Sequence, residues 1–161
     1  MGLDVNTTAA AGAKLTGTAG SILEKKGRVV HSVGPGESVY AAVVKLNEAR
    51  VGALLVMEGS QLVGVISERD YTRDVILQGR SSKDTRVSEI MSAPVISVEP
   101  STPLAECMRL VTERRVRHLP VIDAGRVVGV ISIGDLVRSI VLQQGETIEQ
   151  LSTLITDRYP T

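Results

Sequence analysis

Laid over itself at an offset of 65 residues, the chain brings Gly64-Val65-Ile66-Ser67-x-x-Asp70 onto Gly129-Val130-Ile131-Ser132-x-x-Asp135 without a gap, and Arg73 onto Arg138. Ser32, Val33, Pro35, Val51, Leu54 and Val56 meet Ser97, Val98, Pro100, Val116, Leu119 and Val121 in the same register. Between positions 32 and 73 roughly a third of the pairs are identical, which marks duplication of a supersecondary unit. Within 161 residues, neither copy has enough apolar surface to make a sufficient core alone, so the two are expected to pack together.

The hydrophobic periods define the unit. Val39, Ala42, Val43 and Leu46 stand at i, i+3, i+4 and i+7, as do Leu104, Cys107, Met108 and Val111, and each set predicts a helix with one buried face. Two apolar runs follow in each copy, Ala53–Met57 with Leu62–Ile66 and Leu119–Ile122 with Val127–Ile131. Short polar turns join them, predicting hairpins, and continuous Val/Ile/Leu composition predicts strands covered on both faces. Ser67 and Ser132 open second helices that run to about Gln78 and Gln143, where Gly79 and Gly145 stop them. Leading strands at Arg28–Val33 and Pro94–Val98 complete a βαββα unit of α+β class.

The expected organisation is a disordered tail over 1–20, a first unit over 21–79, a linker over 80–90 and a second unit over 91–145. The linker holds a helical turn near Val87–Met91. Residues 146–161 carry Ile148, Leu151, Leu154 and Ile155 at helical spacing and predict a terminal helix.

Composition narrows the function. Lys plus Arg and Asp plus Glu are equal at 18, so no net field draws the chain to nucleic acid or an anionic membrane. Phe and Trp are absent and Tyr numbers three, too few aromatic platforms for base stacking. The single Cys107 precludes an internal disulfide, and no apolar run approaches membrane-spanning length, which together suggest a cytoplasmic protein. No P-loop, dinucleotide fingerprint, zinc-protease helix or nucleophile elbow appears, and with only His31 and His118 a histidine-rich metal site is excluded. The expected role is binding without catalysis.

The duplicated Gly-Val-Ile-Ser-x-x-Asp, the stretch Arg114-Arg115-Val116-Arg117-His118-Leu119-Pro120-Val121-Ile122-Asp123, and Glu89-Ile90-Met91 ahead of the second unit together resemble the cystathionine-β-synthase (CBS) domain pair, or Bateman module, over residues 21 to 145. The resemblance implies two units packed through their sheets about a pseudo-twofold axis, with two clefts for adenosine derivatives. It also implies a free-standing, bacterial-type regulatory member, commonly a homodimer, that transmits binding of AMP, ATP/ADP or NAD(H) to a downstream protein. A ligand-free scaffold that recruits partners through the terminal helix is the competing expectation.

Candidate site residues follow. Ser67 and Ser132 sit where strand meets helix and could hydrogen-bond phosphate. Asp70 and Asp135 could chelate a ribose cis-diol, but Ser-x-x-Asp is also a capping box, and a carboxylate engaged with ribose cannot close the box. Arg69 at a helix start opposes the helix dipole and is a phosphate candidate, or else a surface ion-pair partner. Arg117 and His118, with Pro120 close behind, occupy positions where nucleotide-binding relatives present basic groups, although cations just past a helix end need no ligand. The first copy has Gly52-Ala53 in place of Arg117-His118, which suggests two clefts of unequal preference. Val33, with Val29, Val30, Val95, Ile96 and Val98, is expected to wall an adenine ring or simply to join the core.

Overall fold

The structure, a computed structural model, describes residues 15–145. Helix α1 (Ala19–Lys26) precedes a first unit of β1 (Ser32–Val33), α2 (Val39–Ala49), β2 (Ala53–Glu58), β3 (Gln61–Ser67) and α3 (Glu68–Tyr71). A π-helical turn (Thr72–Ile76) and the short α4 (Val87–Ile90) follow. The second unit comprises α5 (Leu104–Glu113), β4 (His118–Asp123), β5 (Arg126–Ser132) and α6 (Ile133–Gln143). The terminal helix expected over Thr147–Tyr159 lies outside the described residues, as does most of the expected N-terminal tail.

Both hairpins form as their composition predicts, with Glu58 opposite Gln61 and Asp123 opposite Arg126. Each carries a bulge at the same place in the repeat, between Val56 and Met57 and between Val121 and Ile122. Ser67 and Ser132 start helices by accepting the N–H of Asp70 (3.2 Å) and Asp135 (3.1 Å).

The leading strands are shorter than expected. In the first unit β1 pairs in parallel with β2 through Ser32 and Val33 only, and the Leu55 N–H donates to the His31 carbonyl. In the second, pairing shrinks to one bridge between Val98 and Val121. The cause is Pro120, the counterpart of Leu55: it has no N–H to give the Ile96 carbonyl, so the ladder cannot extend beyond Val98. The helices after the hairpins differ too. The Thr72 hydroxyl donates to the Glu68 carbonyl (3.0 Å), competing with the ladder where the helix widens into its π turn, while the counterpart Val137 cannot, and α6 continues as α-helix to Gln143.

Each of the two cores draws in a helix from outside its own hairpin. One gathers Val33, Val39, Ala42, Leu46, Leu54, Val56, Ile66 and Val75 with Val87 and Ile90 of α4. The other gathers Leu104, Cys107, Val111, Leu119, Val121, Ile131 and Leu136 with Ala19, Ile22 and Leu23 of α1. Residues 19–26, divided by the sequence between tail and first unit, thus belong to the core of the second unit. The expected linker supplies part of the first core. Each preceding helix is exchanged onto the far unit.

A glycine makes each exchange possible. A Cβ on Gly64 would lie 2.5 Å from Met91 Sδ, and one on Gly129 would lie 2.6 Å from Leu23 Cδ2. Backbone hydrogen bonds anchor both segments: Ala19 N–H to Thr102 O and Gly20 N–H to Pro100 O on one side, Val87 N–H to Glu37 O and Ser88 N–H to Pro35 O on the other.

Candidate functional site

Between the units lies a cleft of about 490 Å³, within the size range of small-molecule sites. The first unit contributes Gly52, Val65, Ser67, Glu68, Arg69, Asp70 and Arg73; the second contributes Ser92, Pro94, Val95, Ile96 and the run Arg115–His118. Apolar side chains (Val65, Pro94, Val95, Ile96, Val116) therefore form part of the wall, and four arginines against two carboxylates set the sign of its charge.

The sequence set Gly52 and Arg117-His118 apart as marks of two different clefts. The structure puts them in one, because β2 and β4 begin side by side where the units meet: a Cβ on Gly52 would stand 3.6 Å from the His118 ring. A larger side chain at Gly52 would crowd that ring. Val95 and Ile96, expected as apolar walls, line the same space. Val33 does not; it is buried in the first core, paired with Val56. Val98 is likewise core, and Val29 is 77% exposed. Ala53 pairs with Ser67, and Pro120 pairs with Val130 inside the second hairpin. Neither lines the cleft, and Pro120 acts on its neighbourhood only through the hydrogen bond it cannot make.

Both aspartates are folded back into capping boxes. Asp70 Oδ2 accepts from the Ser67 N–H (2.8 Å) and hydroxyl (2.9 Å), and Oδ1 accepts from Arg73 (3.0 Å). Asp135 Oδ2 accepts from the Ser132 N–H (2.8 Å), and Oδ1 takes a longer contact from Arg138 (3.4 Å). The capping role is thus the one present, and ribose chelation requires a box to open, at a cost of about 1 kcal/mol. That is small against the roughly 8 kcal/mol of a micromolar site.

Asp135 has a further partner that no local pattern could reveal. Lys26, at the end of α1, puts Nζ 2.6 Å from Asp135 Oδ2 and 2.9 Å from the Val130 carbonyl. Burial pushes the Asp135 carboxyl up, but the Lys26 ammonium and the Ser132 N–H outweigh it and hold the group below the usual carboxylate range. Ser132 and Asp135 are absent from the lining of the 490 Å³ cleft, and Asp135 instead lines a cavity of about 80 Å³ beside α1.

Arg69, Arg115 and Arg117 have no carboxylate within 4 Å among the described residues, whereas Arg73 is paired with Asp70 and Asp74. His118 is pulled below its ordinary value, first by burial and then by Lys26 and Arg117, so at neutral pH its ring is uncharged and offers one donor and one acceptor. Glu68, Arg73, Arg115, Ser92 and Pro94 are cleft residues to which the sequence assigned no site role. Only the recurrence of Arg73 at Arg138 gave a signal. A neighbouring open depression of about 580 Å³ contains Arg80 and Glu89, already paired at 2.7 Å. Among the described residues no cluster of three His, Cys, Asp or Glu side chains could hold a metal ion, and no helix is long and apolar enough to cross a membrane.

Two exchanged α+β units enclosing a basic, partly apolar cleft define a tandem two-domain module. The chain belongs to the CBS domain family, whose sequence model matches it twice, over residues 26–76 and 87–142. It is 42% identical over 128 residues to the mitochondrial CBS domain-containing protein CBSX3 of Arabidopsis thaliana, covering 76% of this chain and 62% of that protein. The chain thus spans less than two thirds of that relative's length. CBS domain-containing protein YhcV of Bacillus subtilis (strain 168) is 33% identical over 107 residues, 66% of this chain and 76% of that one. A solved structure of a proposed signal-transduction protein with CBS domains from Burkholderia ambifaria MC40-6 is 51% identical, with a TM-score of 0.77 over 81% of this chain and 98% of that one. A CBS domain pair solved with 5′-methylthioadenosine and S-adenosyl-L-methionine shares the fold at 21% identity, with a TM-score of 0.69 over 78% and 96% of the two chains.

Proposed function

We propose that the chain is a cytoplasmic regulatory module that binds an adenine nucleotide (AMP, ATP/ADP or NAD(H)) in the cleft beside Asp70, and acts by transmitting that occupancy to another protein rather than by catalysis. One observation carries this: apolar walls and three arginines without acidic partners among the described residues converge on a single 490 Å³ space between the units. A purine suits the walls of Val65, Pro94, Val95 and Ile96, and the Ile96 carbonyl, which Pro120 cannot satisfy, is an acceptor for an exocyclic amine. Phosphate suits Arg69, Arg115 and Arg117, since guanidinium groups can grip it bidentately. The ribose reaches Asp70 once its box opens, and Ser67 is then freed to bond the ligand. Adenosine derivatives bound to a structural neighbour support the ligand class. Because the cleft has walls from both units, a ligand there changes how they sit together, which is the form a signal would take. A homodimer belongs to the same reading, with the exposed Ile133 and Val137 of α6 as the apolar surface available to a second copy.

Calorimetric titration with AMP, ATP and NADH tests the proposal. Saturable binding is expected, and at one hundred times the dissociation constant it should stabilise the fold by about 2.7 kcal/mol. Arg117→Ala and Arg69→Ala should each weaken ATP about tenfold, about 1.4 kcal/mol, and adenosine far less. Equal losses for ATP and adenosine would remove phosphate recognition, and no binding of any of the three would overturn the proposal.

A further inference from the structure

The second carboxylate of the repeat is occupied from within the chain. Counted from the helix caps Thr18 and Arg86, Lys26 and Pro94 fall at the same place in the two exchanged segments. Pro94 lines the open cleft and presents no charge to Asp70. Lys26 instead lays its ammonium on Asp135, 2.6 Å from Oδ2, and on the Val130 carbonyl at 2.9 Å. In the first unit the matching carbonyl, that of Val65, is bonded by the Ser92 backbone N–H at 2.8 Å. A side chain therefore stands in the second unit where backbone stands in the first. The side chains of Asp135 and Asp70 are buried to much the same degree (10% and 7% exposed), so the added ammonium is what sets the second carboxylate apart, and Lys26 and Asp135 together line a small cavity of about 80 Å³ between α1 and α6.

We infer that Lys26 is an internal ligand of Asp135, a plug that takes the second copy of the sugar-binding carboxylate out of service and leaves one nucleotide site per chain. The inference rests on the function proposed above for the Asp70 cleft. It makes the module asymmetric by construction: one repeat senses, and the other is locked by a cation carried on α1. The neutral Met side chain in Lys26→Met keeps the length of the stem while removing the ammonium, so it unlocks the second carboxylate without emptying the core beneath α1.

The test is the stoichiometry of AMP in the whole chain, by calorimetry, with circular dichroism confirming the fold of each variant. The parent should bind one AMP per chain and Lys26→Met two. Asp135→Asn should leave the parent's single site unchanged within twofold, and should return Lys26→Met to one. Two sites in the parent, or one in a folded Lys26→Met, would overturn the plug, as would loss of the parent's site in Asp135→Asn. If the parent binds no AMP while Lys26→Met binds one, the plug stands and the Asp70 cleft fails as a site. If neither binds, both ideas fail.

Discussion

The two units share a sequence pattern and differ in how each is finished. The first has a three-stranded sheet, a short helix that loosens into a π turn, and α4 laid over it with half-buried Met91 above Gly64. The second has a two-stranded sheet, an unbroken α6, and α1 laid over it with fully buried Leu23 above Gly129. Duplication keeps the elements that local chemistry specifies, namely hairpin, bulge and capped helix. It releases those that depend on a distant neighbour. Functional asymmetry enters there: the unit covered by half-buried Met91 brings its carboxylate, Asp70, to the open cleft, and the unit covered by wholly buried Leu23 holds the locked carboxylate, Asp135.

The largest expected effect comes from undoing one exchange and not the other. Leu23 is wholly buried and anchors α1 in the second core, so Leu23→Ala should cost about 3 kcal/mol in denaturant-derived stability. Met91 is only partly buried against the first core and flexible, so Met91→Ala should cost about 1 kcal/mol. Equal costs would show that the two exchanged segments are held alike. The glycines beneath them are alike by comparison. A methyl on Gly129 meets Leu23 Cδ2 at 2.6 Å, and one on Gly64 meets Met91 Sδ at 2.5 Å with Cγ and Cβ at 3.0 and 3.2 Å behind it, so neither neighbour clears by moving its tip alone. Gly129→Ala and Gly64→Ala should therefore each cost about 2 kcal/mol.

An acid titration separates the open cleft, which His118 lines, from the carboxylate held by Lys26. Burial makes neutral His118 the form the fold prefers, so stability is full above about pH 6.5, the unfolded value, and declines as pH falls toward the depressed folded value. Asp135 is held below the ordinary carboxylate range, so its contribution is full above about pH 4 and is lost only below that. Melting temperature against pH should show both declines. His118→Gln should remove the first, and Lys26→Met should shrink the second by about 1 kcal/mol or less, since the Lys26 side chain is a third exposed. A first decline that persists in His118→Gln would assign it to another group.

What could be read from the sequence follows the same division. Helices α2, α5 and α6, both hairpins and both Ser-x-x-Asp caps are written within a few residues of each other, and they stand where the periods put them. The shortened leading strands depend on Pro120 lacking an N–H opposite a residue far upstream, and the exchanged helices depend on the absence of two Cβ atoms, which a motif search reads as part of a signature rather than as a docking surface. At the site, Ser67, Arg69, Asp70, Arg117 and His118 were legible as residue types and do share one cleft. Val33 resembled its neighbours on a strand of alternating fate, and nothing in an apolar pattern says which side faces a cavity. Lys26 lies 109 residues from its partner, beyond the reach of any spacing rule.

The smallest expected effect concerns the hairpin turns, where the repeats carry different residues at one position. Gly59 and Ala124 occupy the same place, and both have positive φ, 62° and 48°. In the first turn the next residue, Ser60, is not left-handed, whereas in the second Gly125 is also positive at 79°. The first thus follows the pattern with one left-handed centre and the second the pattern with two, and both match strand twist. Alanine at a left-handed position brings its Cβ against backbone oxygen, a strain that glycine lacks. Glycine also widens the unfolded ensemble, which offsets part of the relief. Ala124→Gly should accordingly stabilise by only about 0.5 kcal/mol, seen as a rise of a few degrees or less in melting temperature. Gly59→Ala should lose about 1 kcal/mol, because there the strain is introduced rather than relieved. If Ala124→Gly destabilises instead, the second turn is held by its unfolded-state advantage, and the two hairpins are not interchangeable even at their tips.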